Sequence, residues 1–205
     1  MTNKKNAGTL LHEDAKARVL RFLWSSRAEW SGREIARRVG LSAPACHATL
    51  KRLDARGLVH LRRVSNVHLY KINPESYLIH DVFGPFFEAE AAMPQRMEAA
   101  ITKALKPEVV SLVLFGSMAR GTRIGAGSDL DLLVVLPSTG SLKDLEPKLE
   151  RLKDALFRRF HVPLSPYIQT LPELRRKHHR KLPLIGEILK EGRTIYGKDV
   201  KELLA

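Results

Sequence analysis

The chain has little cysteine, few aromatic residues and no long apolar run. One cysteine in 205 residues, Cys46, excludes an internal disulfide and a metal site built from thiolates alone. Aromatic residues make up 6% of the chain, and no apolar run approaches the roughly 20 residues that span a bilayer. The first residues, MTNKKNAGTLLHEDAK, lack the apolar stretch of a signal peptide. We therefore expect a cytoplasmic protein without a membrane partner.

Acidic residues are also scarce relative to basic ones. Lys and Arg number 35 against 22 Asp and Glu, which gives a formal net charge of +13. Residues 1–73 hold 15 basic and 5 acidic side chains, so most of the excess lies in the first third of the chain. A basic surface of this kind favours polyanionic partners, and we look for a nucleic-acid site in this region first.

Two helix signals open this basic region. Apolar residues at helical spacing predict a first helix over 12–24. Ser31 is followed three residues later by Glu34, the pattern of a capping box, and Gly40 predicts the end of the second helix. Both helices are short and carry one apolar face, which is typical of a small helical domain.

A third helix is predicted directly after Gly40, because Ser42 is a good N-cap and Pro44 is tolerated in the first turn. It runs to about Arg56, with Cys46, Leu50 and Leu53 as its buried stripe. The short turn between the two helices gives a helix-turn-helix, whose second helix enters a DNA major groove. The predicted DNA-binding residues are Ser42, Ala43, Pro44, His47, Ala48, Lys51, Arg52, Arg62 and Arg63.

Strand residues follow on either side of Ser65-Asn66, in LVHLRRVSNVHLYKIN, and predict a two-stranded wing with Arg62 and Arg63 near its tip. With GREIARRVGLSAPACHATLKRLDARGLV, this segment resembles the winged helix-turn-helix regulators over roughly residues 10–73. The resemblance implies duplex DNA as a partner. A winged helix used only for protein contact or dimerisation is the alternative.

Residues 74–106 are mildly acidic and rich in alanine, and they predict one or two connecting helices broken near Gly84-Pro85 and Pro94. A local excess of Phe and Met here is explained either by packing between domains or by a homodimer interface, since winged-helix DNA binders commonly have two-fold symmetry. The sequence leaves both explanations open.

A glycine-rich stretch joins two apolar strands, 109–115 and 130–136, in LFGSMARGTRIGAGSDLDLLVV. Glycine lets backbone amides approach a ligand, so Gly116 and Ser117 predict a phosphate-binding turn. Asp129 and Asp131 are two residues apart on a strand and therefore point to one face. Two carboxylates on one face are suited to a divalent cation such as Mg²⁺. The alternative is a tight turn whose two acids are neutralised by nearby arginines.

GSMARG followed by SDLDLLV resembles the nucleotidyltransferase superfamily of the DNA polymerase beta type, over about residues 107–197. The resemblance implies Mg²⁺ or Mn²⁺ held by Asp129 and Asp131, and triphosphate contacts from Gly116 and Ser117. The Ala-Arg-Gly continuation and the Ser-Asp-x-Asp ending add Arg120 and Ser128 to the nucleotide-binding set. It further implies that Asp129, Asp131 and Ser117 take part in moving a nucleoside monophosphate from a nucleoside triphosphate to an acceptor.

Catalytic members of that superfamily carry a third carboxylate on the next strand. Here that strand is predicted in HVPLSPYIQT, residues 161–170, which contains no acid. Ser165 is the best positional equivalent, and its neighbours Pro163 and Tyr167 are the alternatives. A serine neither binds a second metal strongly nor accepts a proton at neutral pH, and losing a positioned base costs roughly 100- to 10,000-fold in rate. The basic run at 175–181 is either a solvated helix face or a surface that steers a nucleic acid or nucleotide.

The sequence thus predicts an α+β protein with a winged helix-turn-helix domain at 1–73, a helical connector at 74–106 and a nucleotidyltransferase-type α/β domain with a small mixed sheet at 107–205. We expect a DNA-binding transcriptional regulator whose second domain binds a nucleotide with weak or no catalysis. The alternative is an active Mg²⁺-dependent transferase that modifies an RNA or protein hydroxyl, for example in a toxin-antitoxin pair.

Overall fold

A computed structural model describes residues 14–119, 129–138 and 141–205. The chain forms two compact units, one of residues 1–92 and one of residues 93–205. None of the helices in the described ranges has the length and apolar character needed to cross a lipid bilayer.

The first unit begins with three helices and a small sheet. In chain order its elements are α1 (Ala15–Ser26), β1 (Trp30–Ser31), α2 (Gly32–Val39), α3 (Ala43–Asp54), β2 (Val59–Val64) and β3 (Val67–Ile72). The sheet is antiparallel with strand order β1-β3-β2, and Val64 pairs with Val67 at the tip of the hairpin. These elements are the helix-turn-helix and wing that the sequence predicts.

Side-chain caps fix where α2 and α3 begin. The Ser31 hydroxyl accepts from the Glu34 amide at 3.3 Å while the Glu34 carboxylate accepts from the Ser31 amide at 3.2 Å, so the predicted capping box is present. Gly40, at φ 64°, ends α2 in the left-handed conformation that glycine adopts readily. Ser42 caps α3 through the Ala45 amide at 3.4 Å. The turn between the two helices therefore contains only three residues, 40–42.

The core of this unit lies between the three helices and the sheet. Cys46, Leu50 and Leu53 of α3 are at most 1% exposed, as the predicted inward stripe requires. Arg18 of α1 donates to the Val39 and Gly40 carbonyls at the end of α2. This arginine therefore ties two helices together.

The region predicted as a connector is shared between the two units. A π-helical turn (Leu78–Phe83) and α4 (Gly84–Ala91) lie in the first unit, whereas α5 (Met93–Leu105) lies in the second. Arg21 of α1 holds Glu90 of α4 through a two-point ion pair, with distances of 2.5 and 3.0 Å. Met97 of α5 is 1% exposed in the core of the second unit. Packing within the units thus accounts for the burial of much of this apolar segment.

The second unit is a four-stranded mixed sheet with helices on both faces. Its remaining elements are β4 (Ser111–Phe115), α6 (Gly116–Ala119), β5 (Leu130–Leu136), α7 (Ser141–Phe160), β6 (Leu164–Thr170), α8 (Leu171–His179), α9 (Pro183–Glu191), β7 (Arg193–Gly197) and α10 (Val200–Leu204). The strand order is β6-β5-β4-β7, with β5 and β6 parallel and the other pairs antiparallel. This is the small mixed sheet predicted from the sequence.

Side chains alternate between the two faces of this sheet. Even-numbered residues of β5, such as Leu132, pack in one core with α5 and α7. Odd-numbered residues, such as Leu133, pack in the other core with α8, α9 and α10. By the same alternation Asp131 belongs to the face covered by α8 to α10. The carboxylates of the predicted site therefore lie at the start of β5 on that face.

Candidate functional site

The predicted DNA-binding residues of the first unit are all on its surface. Ser42, Ala43, Pro44, His47, Ala48, Lys51, Arg52, Arg62 and Arg63 are exposed. Those of α3 lie on the side of the helix that faces away from the buried stripe. The wing hairpin places Arg62 and Arg63 on β2, at the strand end next to the Ser65-Asn66 turn.

An open groove separates the start of α3 from the tip of the wing. Ala43 and His47 line it from α3, Arg33 from the start of α2, and Asn66 and His68 from the wing. The groove is bordered by both the helix and the wing, and Arg33 contributes a positive charge to its lining.

Arg62 has a partner that sequence inspection missed. Its guanidinium binds the Glu29 carboxylate at two points, with Nε to Oε1 at 3.0 Å. Hydrogen bonding to this guanidinium lowers the pKa of Glu29. The two residues are 33 positions apart, and the fold brings them together by placing the segment before β1 near the wing. If Arg62 contacts DNA, it must release the Glu29 carboxylate and bind a phosphate instead. Arg63 does not have to release this carboxylate to do so.

The Gly-Ser turn and the second aspartate of the other unit are in direct contact. Gly116 follows the last residue of β4, Phe115, which pairs with Asp131 of β5. Gly116 has φ 72°, and a Cβ atom built there would overlap Oδ2 of Asp131 and lie 3.3 Å from its Cγ. Glycine is thus required both for the backbone conformation and for the carboxylate to lie against the turn.

The two aspartates lie close enough to repel one another. Burial raises the pKa of the Asp131 carboxyl, and the charge of Asp129 raises it further. Asp129 is exposed and Asp131 is partly buried. A cation bound between the two carboxylates would relieve this repulsion, and two carboxylates that leave other positions to water and phosphate oxygens would suit Mg²⁺ or Mn²⁺.

Ser165 lies opposite Asp131 in the parallel pairing of β5 with β6, so the two side chains point to the same face of the sheet. Within the described parts of the chain, no group of three or more His, Cys, Asp and Glu side chains is arranged to hold a metal ion. The described donor set of this site consists of the Asp129 and Asp131 carboxylates.

A lysine lies over the same face of the sheet. Lys177 of α8 donates from Nζ to the hydroxyl of Tyr167 at 2.9 Å, and its ammonium group is 5.0 Å from the Tyr167 ring centre. Tyr167 is two residues beyond Ser165 on β6, so both side chains point to the face that carries Asp131. The sequence showed Lys177 only as part of a basic run, because the contact depends on how α8 folds back on β6.

Three predicted nucleotide-binding residues remain. Ser117 is partly buried at the start of α6. Arg120 and Ser128 lie outside the described residues.

Comparisons with known proteins agree with both units. The family model for the nucleotidyltransferase domain matches residues 99–193, and that for the winged helix-turn-helix DNA-binding domain matches residues 27–60. This chain joins a winged helix-turn-helix domain to a nucleotidyltransferase domain. No match is found among curated proteins.

Solved structures resemble parts of the chain. A toxin-antitoxin structure with AMP-PNP is 21% identical, with a TM-score of 0.36, and the match covers 52% of this chain and 80% of that one. A homodimeric winged helix-turn-helix DNA-binding domain from Mycobacterium bovis, a possible ArsR-family transcriptional regulator, is 21% identical, with a TM-score of 0.31 and coverage of 43% and 75%. The AntR antimony-specific transcriptional repressor is 14% identical, with a TM-score of 0.34 and coverage of 48% and 90%.

Replacing Gly116 with alanine is expected to destabilise the nucleotidyltransferase domain by about 1–3 kcal/mol, because a non-glycine residue is strained at positive φ and the new methyl group displaces the Asp131 carboxylate. Thermal unfolding measures the change. Gly186→Ala is the matched control, since no atom lies within 4 Å of a Cβ there and Gly186 is in a helix. The control is expected to stabilise by about 0.4–1 kcal/mol. Equal effects of the two variants would contradict the contact at Gly116.

Proposed function

We propose that this protein is a DNA-binding regulator whose nucleotidyltransferase domain binds a nucleoside triphosphate together with Mg²⁺ or Mn²⁺ and has little or no transferase activity. The single observation that carries the proposal is the register of β5 and β6, in which Ser165 lies beside Asp131 where a third carboxylate is needed. The DNA-binding half is supported by the winged-helix family match and by the exposed face of α3.

On duplex DNA, α3 enters the major groove and the wing follows the phosphate backbone. Lys51 and Arg52, in the last turn of α3, contact phosphates, and so does Arg63 at the wing. We propose that two copies bind as a homodimer, each with its α3 on one half-site. Half-sites then lie about one turn of duplex apart.

In the nucleotide site, the Gly116 backbone comes close to the triphosphate because it carries no side chain. Asp129 and Asp131 hold the divalent cation, which supplies charge neutralisation to the phosphate oxygens when bound. Lys177, positioned by Tyr167, adds a fixed positive charge on the same face. These residues bind and orient a triphosphate without any need for a proton-accepting group.

Transfer to an acceptor hydroxyl makes a further demand on the site. A base must take the hydroxyl proton, and a second carboxylate-held cation must stabilise the attacking oxygen. Ser165 is a poor base and a weak ligand at neutral pH. Because phosphoryl-type transfer depends on positioning and electrostatics, the rate is low but need not be zero.

The second candidate function is an active transferase that labels an RNA or protein hydroxyl, as in toxin-antitoxin pairs. The contact between Gly116 and Asp131 and the proximity of Asp129 are compatible with this function as well, since a working transferase also needs a site for a metal and a triphosphate. The distinction between the two functions lies entirely in the acceptor step.

One experiment separates the two functions. The full chain is incubated with each labelled nucleoside triphosphate, Mg²⁺ or Mn²⁺, and cellular RNA or protein, and nucleotide binding is measured in parallel by calorimetry. Binding without incorporation supports the regulator. Incorporation that disappears in Asp129→Asn supports the transferase. Absence of both in the wild-type chain would overturn the nucleotide half of the proposal.

Lys177→Met is expected to weaken triphosphate binding about tenfold, because it removes a charged hydrogen-bond donor while keeping a similar side-chain volume. Tyr167→Phe is expected to have a smaller effect, since it removes only the hydroxyl that holds the ammonium group. Calorimetric titration with a non-hydrolysable triphosphate in Mg²⁺ measures both.

The matched control for these variants is Lys153→Met. Lys153 lies on α7, which covers the opposite face of the sheet, and it forms an ion pair with the exposed Glu150 of the same helix. Triphosphate affinity that is equal in the Lys177 and Lys153 variants would exclude Lys177 from the site.

A further inference from the structure

We infer that the helix α3 reads its DNA site chiefly through the C5-methyl groups of thymines. This inference rests on the proposed function, since it requires that α3 enters a major groove. The inference specifies which base α3 recognises in the DNA. It depends on which side chains α3 exposes, and on which polar groups near its start already make hydrogen bonds within the protein.

The outermost row of α3 is mostly apolar. Pro44, Ala48 and Lys51 are spaced by four and three residues, so they form one line along the helix opposite the buried stripe. The first two are small and carry no hydrogen-bonding group on the side chain. Lys51 lies in the second half of the helix, which in this docking geometry leaves the base edges and approaches the backbone.

Few polar side chains lie at the exposed start of α3, and two nearby hydroxyl groups make hydrogen bonds within the protein. The Ser42 hydroxyl accepts from the Ala45 amide at 3.4 Å, and the buried Thr49 hydroxyl donates to the Ala45 carbonyl at 2.8 Å. His47 is exposed and carries ring nitrogens able to hydrogen-bond to a base, and it lies on the flank that lines the groove toward the wing.

The first half of α3 lacks the side chains that make two-point hydrogen bonds to bases. Guanine is read mainly by Arg or Lys and adenine by Asn or Gln, and the first half of α3 contains none of them. Small apolar side chains instead pack against the thymine methyl group, which only the major groove displays. We therefore assign Pro44 and Ala48 to thymine methyl contacts and His47 to a single hydrogen bond at one end of the same site.

The test replaces thymine by deoxyuridine, which removes the methyl group and keeps Watson-Crick pairing. The full chain first selects its site from a random duplex library at low salt, and each thymine of that site is then replaced in turn. We expect removal of one contacted methyl to weaken binding about fourfold, the effect of exposing one buried methyl-sized group. Fluorescence anisotropy measures the dissociation constant.

Ala48→Gly provides the protein side of a double-mutant cycle. Any decrease in helix stability affects the thymine and uracil duplexes equally, so the cycle isolates the methyl contact. We expect the uracil penalty at one position to disappear in this variant. Ala55→Gly is the control. Ala55 is exposed on the same side of the helix axis as Ala48, seven residues further along and beyond the last residue of α3. We expect the uracil penalty to persist in this control variant.

The outcomes distinguish the two hypotheses. A uracil penalty that Ala48→Gly abolishes supports the inference. Binding with no selected sequence, or with equal affinity for thymine and uracil sites, overturns the inference and leaves DNA binding in place. Absence of binding to any duplex at low salt overturns the DNA-binding function as well.

Discussion

Duplex binding is expected to weaken about 10- to 100-fold near 0.1 M salt when Lys51 and Arg52 are both replaced by alanine. Both side chains are exposed on α3, where they are accessible to phosphates. Each phosphate that the variant no longer neutralises reduces the slope of log affinity against log salt concentration by about 0.9, so the slope should decrease by about 1.8.

The salt dependence is what makes this result specific. Removing two phosphate-binding side chains weakens binding to every duplex sequence to a similar degree, whereas removing a base-reading side chain changes the sequence preference. Anisotropy titrations at several salt concentrations, on the selected site and on an unrelated duplex, separate the two effects.

Arg158→Ala with Arg159→Ala is the matched control. This pair is also adjacent, exposed and basic, but it lies at the end of α7 in the nucleotidyltransferase domain. It removes the same charge from the chain, and we expect at most a small change in affinity. An equal decrease in duplex affinity in both double variants would mean that the total charge of the chain determines binding, and not the location of the charged side chains on α3.

Asp131→Asn is expected to decrease the affinity for nucleotide in the presence of a divalent cation by about 100-fold or more. Changing a residue that merely supports a metal ligand costs about 10- to 100-fold in metal affinity, and Asp131 is proposed as a ligand itself. Titration of Mn²⁺ and of a triphosphate in its presence measures the effect. Wild-type affinity in this variant would exclude Asp131 from the cation site.

The same variant is expected to be more stable than the wild type when no divalent cation is present. Burial and then the Asp129 charge raise the pKa of Asp131 above its unfolded value, so the folded protein binds more protons in that pH range. The wild type therefore loses stability as pH rises from the unfolded pKa through the raised pKa of the folded state. An asparagine side chain does not titrate in this range, and thermal unfolding across it shows the difference.

Asp154→Asn serves as the control for this stability effect. Asp154 is exposed on α7, the helix that covers the opposite face of the sheet. We expect this variant to bind cation and nucleotide normally and to gain no stability. A gain shared by both variants would indicate a general effect of the protein's charge.

Local signals in the sequence predicted most of the helix ends. The Ser31-Glu34 capping box, the Gly40 stop and the Ser42 cap are all present in the structure. Each interaction joins residues only a few positions apart, so the residue types alone indicate it. The strand at 130–136 was also predicted at its observed bounds.

The division of residues 74–106 between two units shows what such signals omit. Their composition indicates helices interrupted at glycine and proline, and an interruption near Pro94 is observed at Ala92. The predicted break at Gly84 is not observed, because the π-helical turn continues directly into α4 there. Composition does not indicate which domain each helix joins. That depends on contacts such as Arg21 with Glu90, which are 69 positions apart.

By itself the sequence determined the two kinds of domain, the caps of the second and third helices and the residue types of the site, because periodicity, caps and glycine positions act over a few residues. Only the tertiary structure decided that the Asp131 carboxylate lies against Gly116 and that Ser165 lies beside Asp131. The same is true of the contact between Lys177 and Tyr167 and of the ion pair between Glu29 and Arg62. These contacts depend on strand register and on helices folding back over a sheet. Strand register and helix placement are set by the packing of entire apolar faces, which joins residues far apart in the sequence.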